Sequence, residues 1–121
     1  MAPSKYPYLD KYGDKYRIES VSAEEASEIT KRINEAAKFQ TKKIIRMPHA
    51  MDSALVRNIE WPDVEYVLEC GRHEETRVYE KRPENPRFKF VGRNFDDTSD
   101  VAVILVEEND IIVITVWDPN E

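Results

Sequence analysis

Residues 101–117 read VAVILVEENDIIVITVW. Two apolar runs, 101–106 and 111–117, flank the polar tract EEND, and this pattern predicts two strands joined by a tight turn. Because both runs are apolar at nearly every position, we expect them to lie in the centre of a sheet that is covered on both faces. Each run is much shorter than the ~20 apolar residues of a membrane-spanning helix, so no membrane span is expected.

Upstream of these runs, a period of two predicts further strands over residues 74–81 and 87–93. The tracts KRPENP and FDDTSD are predicted to be turns, because proline, asparagine and aspartate interrupt a strand ladder. We therefore expect an antiparallel meander of four strands, or five with a short edge strand at 43–47. The residues expected on its core face are Phe88, Phe90, Ile112, Ile114 and Val116.

Helical spacing of apolar residues predicts three helices, over residues 22–39, 49–58 and 62–70. The first opens with the capping-box pattern SAEE at 22–25, in which the serine hydroxyl accepts from the third backbone amide. The fold class is therefore α+β, with the helices on one face of the sheet.

The sequence also predicts the environment of single residues in the second and third helices and just after them. Met51 and Leu55 recur every four residues and are expected to face inward. Gly71 is expected to end the third helix as a glycine cap. Cys70 is expected in the core, and His73 is expected on the surface of a loop.

The chain has 121 residues, of which 40% are hydrophobic and 35% charged, and this favours one domain. We expect an extended N-terminal arm over residues 1–21 and a single domain over 22–121. The N-terminus has no apolar segment that would suit a secretory signal. One cysteine excludes an internal disulfide, and with two histidines it cannot form a Cys/His zinc site. No metal or cofactor is expected.

The formal net charge is -6, which argues against a protein that coats nucleic acid through bulk electrostatics. The charge is unevenly distributed, however. Residues 72–93 contain seven Lys or Arg and four acidic residues, whereas residues 94–121 contain eight acidic residues and no basic one. A phosphate site would therefore be local and would lie within residues 72–93.

If Phe88 and Phe90 face the helices, alternation places a basic and aromatic set on the opposite face of the sheet. Cations bind phosphodiesters and aromatic rings stack on bases, so this set predicts an RNA-binding face. The alternative is an ordinary solvated face, which antiparallel sheets normally show. The candidate substrate-binding residues are Arg77, Tyr79, Arg87, Arg93 and Trp117, and they share their face with Lys81, Lys89 and Thr115.

Two motifs within residues 49–117 are similar to those of a known family. HAMDSALVRNIEWPDVEYVLECG resembles the opening of a family of small bacterial domains of unknown function, which has His-Ala, a helix ending in Arg-x-Ile, and a short helix of the type (W/S)xxVxxVLxxG. DIIVITVWDP resembles that family's last strand, a hydrophobic run that ends in VITVY plus a proline. The family is placed with the RelE-like (barnase/EndoU/colicin/RelE) ribonuclease toxins. The resemblance therefore implies a RelE-like fold and RNA cleavage.

The resemblance implies catalytic roles for His49 at a helix start, Arg57 at the end of that helix, and Thr115 in the last strand. Members often carry a second arginine at the position of Ser53, which lies on the same helix stripe. At a helix start the dipole disfavours imidazolium, which suits a general base near pH 7. Arg57 and Lys89 would stabilise phosphate charge, and Thr115 would orient the phosphate.

Together these residues predict a toxin-type, metal-independent endoribonuclease that acts on RNA in the cytoplasm and is neutralised by a cognate antitoxin or immunity protein. Delivery of the protein from another cell is compatible with this predicted function. Two alternatives stay open. A non-catalytic RNA- or protein-binding module of the same fold fits Ser53, with His49 structural and Arg57 in a salt bridge. An acidic antitoxin or immunity-type partner fits the acidic residues of 94–121.

Overall fold

The structure is a computed structural model that describes residues 5–120, and these form an α+β fold with one sheet and three helices. The predicted fold class is thereby confirmed. The helices are α1 (Ala23–Lys38), α2 (Pro48–Val56) and α3 (Trp61–Cys70). The strands are β1 (Tyr8–Leu9), β2 (Lys15–Glu19), β3 (Ile44–Arg46), β4 (Arg72–Tyr79), β5 (Arg82–Arg93), β6 (Asp100–Glu107) and β7 (Ile111–Trp117).

The strand order is β1-β2-β4-β5-β6-β7-β3. The antiparallel meander β4–β7 is present as predicted. The expectation of four or five antiparallel strands is wrong, because the described sheet has seven strands and is mixed. The β1–β2 hairpin, part of the expected N-terminal arm, extends the sheet beyond β4, and β3 pairs in parallel with β7. β3 is the edge strand expected at 43–47. The parallel β3–β7 pairing and the β2–β4 pairing join segments far apart in sequence, which local periodicity does not register.

The prolines of KRPENP lie inside β5 instead of forming a turn. The reversal is confined to Glu80 and Lys81, and β5 begins at Arg82. The β5–β6 ladder begins only at Arg87. Residues 83–86 therefore lie beyond that ladder, where a proline without an N–H group is tolerated.

The hydrophobic core lies between the sheet and the helices, and Phe88 and Phe90 are buried in it as predicted. Helix α1 begins as expected, with the Ser22 hydroxyl accepting from the Glu25 amide at 3.1 Å. Asn34 of α1 donates from its side-chain amide to the carbonyl oxygens of Leu68 and Gly71, at 2.7 and 3.2 Å. This contact satisfies carbonyl groups at the end of α3 that lack helical partners.

The core face of β7 differs from the prediction. Val116 is buried as expected, but Ile111 and Val113 fill the core, whereas Ile112 and Ile114 lie on the opposite face and line pockets there. The cause is an irregularity in the β6–β7 ladder, where consecutive β6 residues 104 and 105 oppose residues 115 and 113. One extra residue in a strand reverses the faces on either side of it.

Helix α2 packs through small side chains, and the expectation for Met51 and Leu55 is wrong. These residues are 51% and 79% exposed, while Ala50 and Ala54 are buried against the core. Small residues let the helix axis approach β7 closely, which larger side chains at those positions would prevent.

The predictions for His73 and Cys70 are also wrong, because His73 is buried and Cys70 is exposed. His73 is buried beside Phe88 and Phe90 with its ring edge-on to both, and its Nε2 lies 2.8 Å from the Thr76 hydroxyl. Cys70 is exposed at the end of α3. The Thr76 hydroxyl satisfies one ring nitrogen of His73, whereas its buried Nδ1 has no hydrogen-bond partner within the described part of the chain. Among residues 5–120, no helix combines the length and apolar character needed to cross a membrane.

Candidate functional site

The sheet face opposite α1 and α3 carries a pocket of about 570 Å³. Strands β4–β7 form its floor, the start and end of α2 form one wall, and the turn of the β1–β2 hairpin forms the other. Residues that line it are Asp10, Lys11, Tyr12, Asp14, Met47, His49, Arg57, Arg77, Tyr79, Arg87, Ile104, Ile114, Thr115, Val116 and Trp117. Its size is within the ~300–1,000 Å³ of ligand pockets.

The pocket combines apolar and basic side chains. Ile104 and Ile114 lie in the floor beside Trp117, while four basic and two acidic side chains line the pocket. An apolar surface ringed by cations can hold a flat, uncharged ring system together with an anionic group.

Aromatic rings hold the arginines of the pocket in place. The Arg87 guanidinium lies 4.1 Å from the ring centre of Tyr79, and that of Arg77 lies 4.8 Å from Tyr16 and 5.9 Å from Trp117. Tyr16 in turn stacks on Tyr79 at 5.2 Å between ring centres. Because cation–π contacts restrict long side chains, the guanidinium groups are partly preorganised for an anion.

Charge and burial fix the ionisation of two of these groups. Burial acts to lower the pKa of Arg77, but the hydrogen bond and charge of Glu75 outweigh it and the pKa is raised. Burial raises the pKa of the Tyr79 phenol, against the opposing charges of Arg87 and Arg77. At neutral pH Arg77 and Tyr79 therefore offer a charged guanidinium and a protonated hydroxyl, both of which donate hydrogen bonds.

Helix α2 brings His49 and Arg57 to the pocket from one stripe of its surface. His49 lies in its first turn, and Arg57 caps its C-terminal end. Ser53 lies between them, is buried, and accepts a long hydrogen bond of 3.4 Å from the Thr115 hydroxyl of β7. The structure thus brings the predicted residues His49, Arg57 and Thr115 to one cavity with Arg77, Tyr79, Arg87 and Trp117.

Lys89 and Arg93 are placed differently from these residues. Lys89 lies beside the pocket, with its Nζ 5.5 Å from the Trp117 ring centre and 2.7 Å from a carboxylate oxygen of Glu74. Arg93 lies farther along β5, roughly 20 Å from Arg87 at the rise of a strand. It forms ion pairs with Asp97 and Asp100 at 2.7 and 3.1 Å, and it lines a different depression. The residues expected on this face therefore do not share one cavity, since Arg93 lies outside the pocket that Arg87 lines.

Residues 47–118 match a protein family described as a domain of unknown function, DUF4258. The chain belongs to this family. The predicted resemblance to a family of unknown function is confirmed, while the RelE-like relationship stays a prediction. Comparison with curated proteins and with solved structures found no match.

The DUF4258 segment begins just before α2 and ends after β7, so it contains His49 and the arginines of the pocket. The β1–β2 hairpin and α1 lie outside it. The hairpin nevertheless supplies Asp10, Tyr12 and Asp14 to the pocket.

Tyr12 is the site residue that sequence reasoning missed. Its hydroxyl lies 2.7 Å from Nδ1 of His49 and also contacts Nε2, with the two rings edge-on at 4.6 Å between centres. A turn signal was present in Asp10 and Gly13. The contact spans 37 residues, however, and no local pattern indicates it.

The hydrogen-bond donors in this DUF4258 site include imidazole, hydroxyl, guanidinium and ammonium groups. Within residues 5–120, no cluster of three or more His, Cys, Asp or Glu side chains could hold a metal ion. The two histidines lie on opposite faces of the sheet, since His49 lines the pocket and His73 packs in the core. The site is therefore equipped for proton transfer and for binding an anion.

Proposed function

We propose that this DUF4258 protein is a toxin-type endoribonuclease that cleaves RNA without a metal ion. The observation that carries the proposal is the convergence of His49 with Arg57, Arg77 and Arg87 on one pocket that has an apolar and aromatic floor. A proton acceptor, phosphate-binding groups and a surface for a base are the parts that such cleavage requires.

The pocket suits one unpaired nucleotide. A base would lie on the floor near Trp117, since nucleic-acid bases stack on aromatic side chains in a sequence-tolerant way. The phosphodiester would lie against the guanidinium groups of Arg77 and Arg87, whose planar donor sets match phosphate oxygens. Thr115 would donate its hydroxyl to the same phosphate.

The proposed reaction is an internal transfer of the phosphodiester. His49 accepts the proton of the 2′-hydroxyl as the 2′-oxygen attacks phosphorus. The O2′–P bond forms, the P–O5′ bond breaks, and the imidazolium returns the proton to the 5′-oxygen. The products are a 2′,3′-cyclic phosphate and a free 5′-hydroxyl. Arg57 and Arg87 stabilise the negative charge that develops on the phosphoryl oxygens, and Lys89 contributes from the end of the pocket.

As a toxin, the protein would act on cytoplasmic RNA and would need a cognate antitoxin or immunity protein in the cell that produces it. Growth arrest on expression, relieved by the substitution His49→Ala, is the expected behaviour in cells.

The direct test is cleavage of a single-stranded oligoribonucleotide by the purified protein and by its His49→Ala variant. Loss of a general base usually lowers the rate by ~10²–10⁴-fold. The thermal midpoint should change little, because His49 lies in the first turn at the pocket wall and outside the core. Asp52→Ala, an exposed change on the same helix that does not line the pocket, is the matched control. A His49→Ala variant that cleaves at the parent rate would remove His49 from the reaction, and a parent protein that cleaves no RNA would remove the activity.

A second candidate is a non-catalytic module that binds RNA or protein through the same pocket. Ser53 favours it, because family members often carry an arginine there and here the position holds a buried serine. In that case the parent protein binds the oligoribonucleotide without cleaving it. Arg87→Gln then weakens binding, whereas His49→Ala does not.

A further inference from the structure

The turn of the β1–β2 hairpin, residues 10–14, has a defined geometry. One carboxylate oxygen of Asp10 accepts hydrogen bonds from the amides of Tyr12 and Asp14, each at 2.9 Å. The amide of Gly13 donates to the Asp10 carbonyl at 3.1 Å, and Gly13 has a φ of 81°, which favours glycine. The backbone therefore holds Tyr12 at one position of the turn.

The hairpin is also anchored to the sheet on the side away from α2. Strand β2 pairs with β4, and Tyr16 stacks between Tyr8 and Tyr79 at 5.4 and 5.2 Å. Lys81 pairs with Asp14 at 2.9 Å. The turn thus reaches over the pocket from a fixed base, and it brings Tyr12 to His49 on the opposite wall.

The Tyr12 hydroxyl lies within hydrogen-bond distance of both ring nitrogens of His49. A neutral imidazole has one N–H group and one acceptor nitrogen, so the hydroxyl can donate to the nitrogen that lacks the proton. While this contact persists, a substrate hydroxyl cannot reach that nitrogen directly, whereas the other ring nitrogen keeps its N–H group. The substrate hydroxyl can reach the Tyr12 oxygen, since Tyr12 is 58% exposed.

We propose that Tyr12 is a catalytic residue of this site and carries the proton from the substrate hydroxyl to His49. The inference rests on the function proposed above and refines its first step. As the 2′-oxygen attacks phosphorus, its proton passes to the Tyr12 oxygen while the phenolic proton passes to the imidazole. The O2′–P bond forms, the P–O5′ bond breaks, and the other ring nitrogen of the imidazolium releases its proton to the 5′-oxygen. Tyr12 is neutral before and after the step.

The test compares Tyr12→Phe with Tyr8→Phe, since both remove one phenolic oxygen from the same hairpin and only Tyr12 contacts His49. With the full-length protein and an oligoribonucleotide, Tyr12→Phe should lower kcat by about 10²-fold and change KM by less than about threefold. Tyr8→Phe should retain the parent kcat. The double variant Tyr12→Phe/His49→Ala should be no slower than His49→Ala alone, because the two residues act as a unit.

A second readout does not depend on cleavage. The NMR signal of the His49 Cε1–Hε1 group should move in Tyr12→Phe and stay in place in Tyr8→Phe. An unmoved signal overturns the proposal, and so does a Tyr12→Phe variant that cleaves RNA at the parent rate or faster, as expected if Tyr12 only blocks the pocket. If the parent protein cleaves no RNA, the proposed function fails and the catalytic role of Tyr12 fails with it. Parent activity that survives Tyr12→Phe overturns the role of Tyr12 alone.

Discussion

Gly71 and Gly92 meet where the end of α3 passes over β5, and a methyl group on Gly92 would lie 3.1 Å from the Cα of Gly71. A methyl group on Gly71 would lie 2.5 and 2.7 Å from the carbonyl oxygens of Val67 and Val91. Gly71 has a φ of -80°, so its backbone conformation is open to any residue. Gly71 ends α3 as expected from the sequence, and the glycine is required there by lack of space.

The variant Gly71→Ala should therefore lower the free energy of unfolding by about 1–3 kcal/mol, because backbone atoms on both sides must move to admit one methyl group. Gly92→Ala should lower the free energy of unfolding by less, since its added methyl is tight only against the Gly71 Cα and meets a Val67 side-chain methyl at 3.6 Å and the Gly71 nitrogen at 3.7 Å. Urea denaturation of the two variants and the parent measures the difference. Equal stability of Gly71→Ala and the parent would contradict the close approach.

Burial of His73 should make stability depend on pH near neutrality. Burial holds the pKa of His73 below its usual value of 6.5, although Glu75 and Glu74 oppose the shift. The unfolded chain then binds the proton more readily, so the stability is fully present above pH 6.5 and declines as the pH falls below it. In His73→Gln, which keeps a neutral hydrogen-bonding group near Thr76, the decline should disappear. Urea midpoints measured from pH 7.5 to pH 5 check this, and the same slope in both proteins would contradict it.

Helix α2 should tolerate truncation of its large side chains and reject enlargement of its small ones. Leu55→Ala should change the free energy of unfolding by less than about 0.5 kcal/mol, because Leu55 is 79% exposed. Ala50→Leu should cost about 1–3 kcal/mol, because Ala50 is fully buried against the core. Thermal denaturation followed by circular dichroism measures both. A large loss in Leu55→Ala would instead support the inward face expected from the sequence.

Arg87 should contribute to RNA binding through its charge. Arg87→Gln should weaken binding of a single-stranded oligoribonucleotide and lower the slope of log K against log salt by about 0.7, as expected for one lost phosphate contact. Lys31→Gln removes the same charge from the exposed surface of α1, on the other side of the sheet, and should preserve the slope. Titrations at several salt concentrations separate the two variants. Identical slopes would assign Arg87 to the solvated surface.

Local patterns predicted the elements whose side-chain period is unbroken. The capping box at Ser22 places the start of α1 within one residue, and alternation around Phe88 and Phe90 identifies the core face of β5. In β7 the same reasoning failed for Ile112 and Ile114. One extra residue in β7, opposite β6, exchanges the core and pocket faces of β7 on its two sides. This irregularity arises from the pairing of two strands, so the sequence pattern of β7 alone does not indicate it.

In the candidate site, too, residues related by local spacing were predictable, whereas contacts between distant segments were not. His49 and Arg57 share a helix stripe, and Arg77 and Tyr79 share a strand face, so each pair was predictable from spacing. The wall formed by Tyr12 depends on a hairpin that crosses the pocket from the far side of the sheet, and no periodicity links it to His49. Arg93 was misplaced because alternation assigns a face but ignores distance along the strand and the nearby Asp97 and Asp100.

The strands at the two edges of the sheet are short, with two residues in β1 and three in β3. Strand β7, IIVITVW, lies just inside one edge and has the composition of an aggregation-prone segment, with high β-propensity, no charge and no proline. β3 covers its first half, and α2 packs against it through Ala50 and Ala54. The tight seating of α2 therefore protects the chain from edge-to-edge association, since local opening of residues 44–56 would expose a strand able to template its own copies.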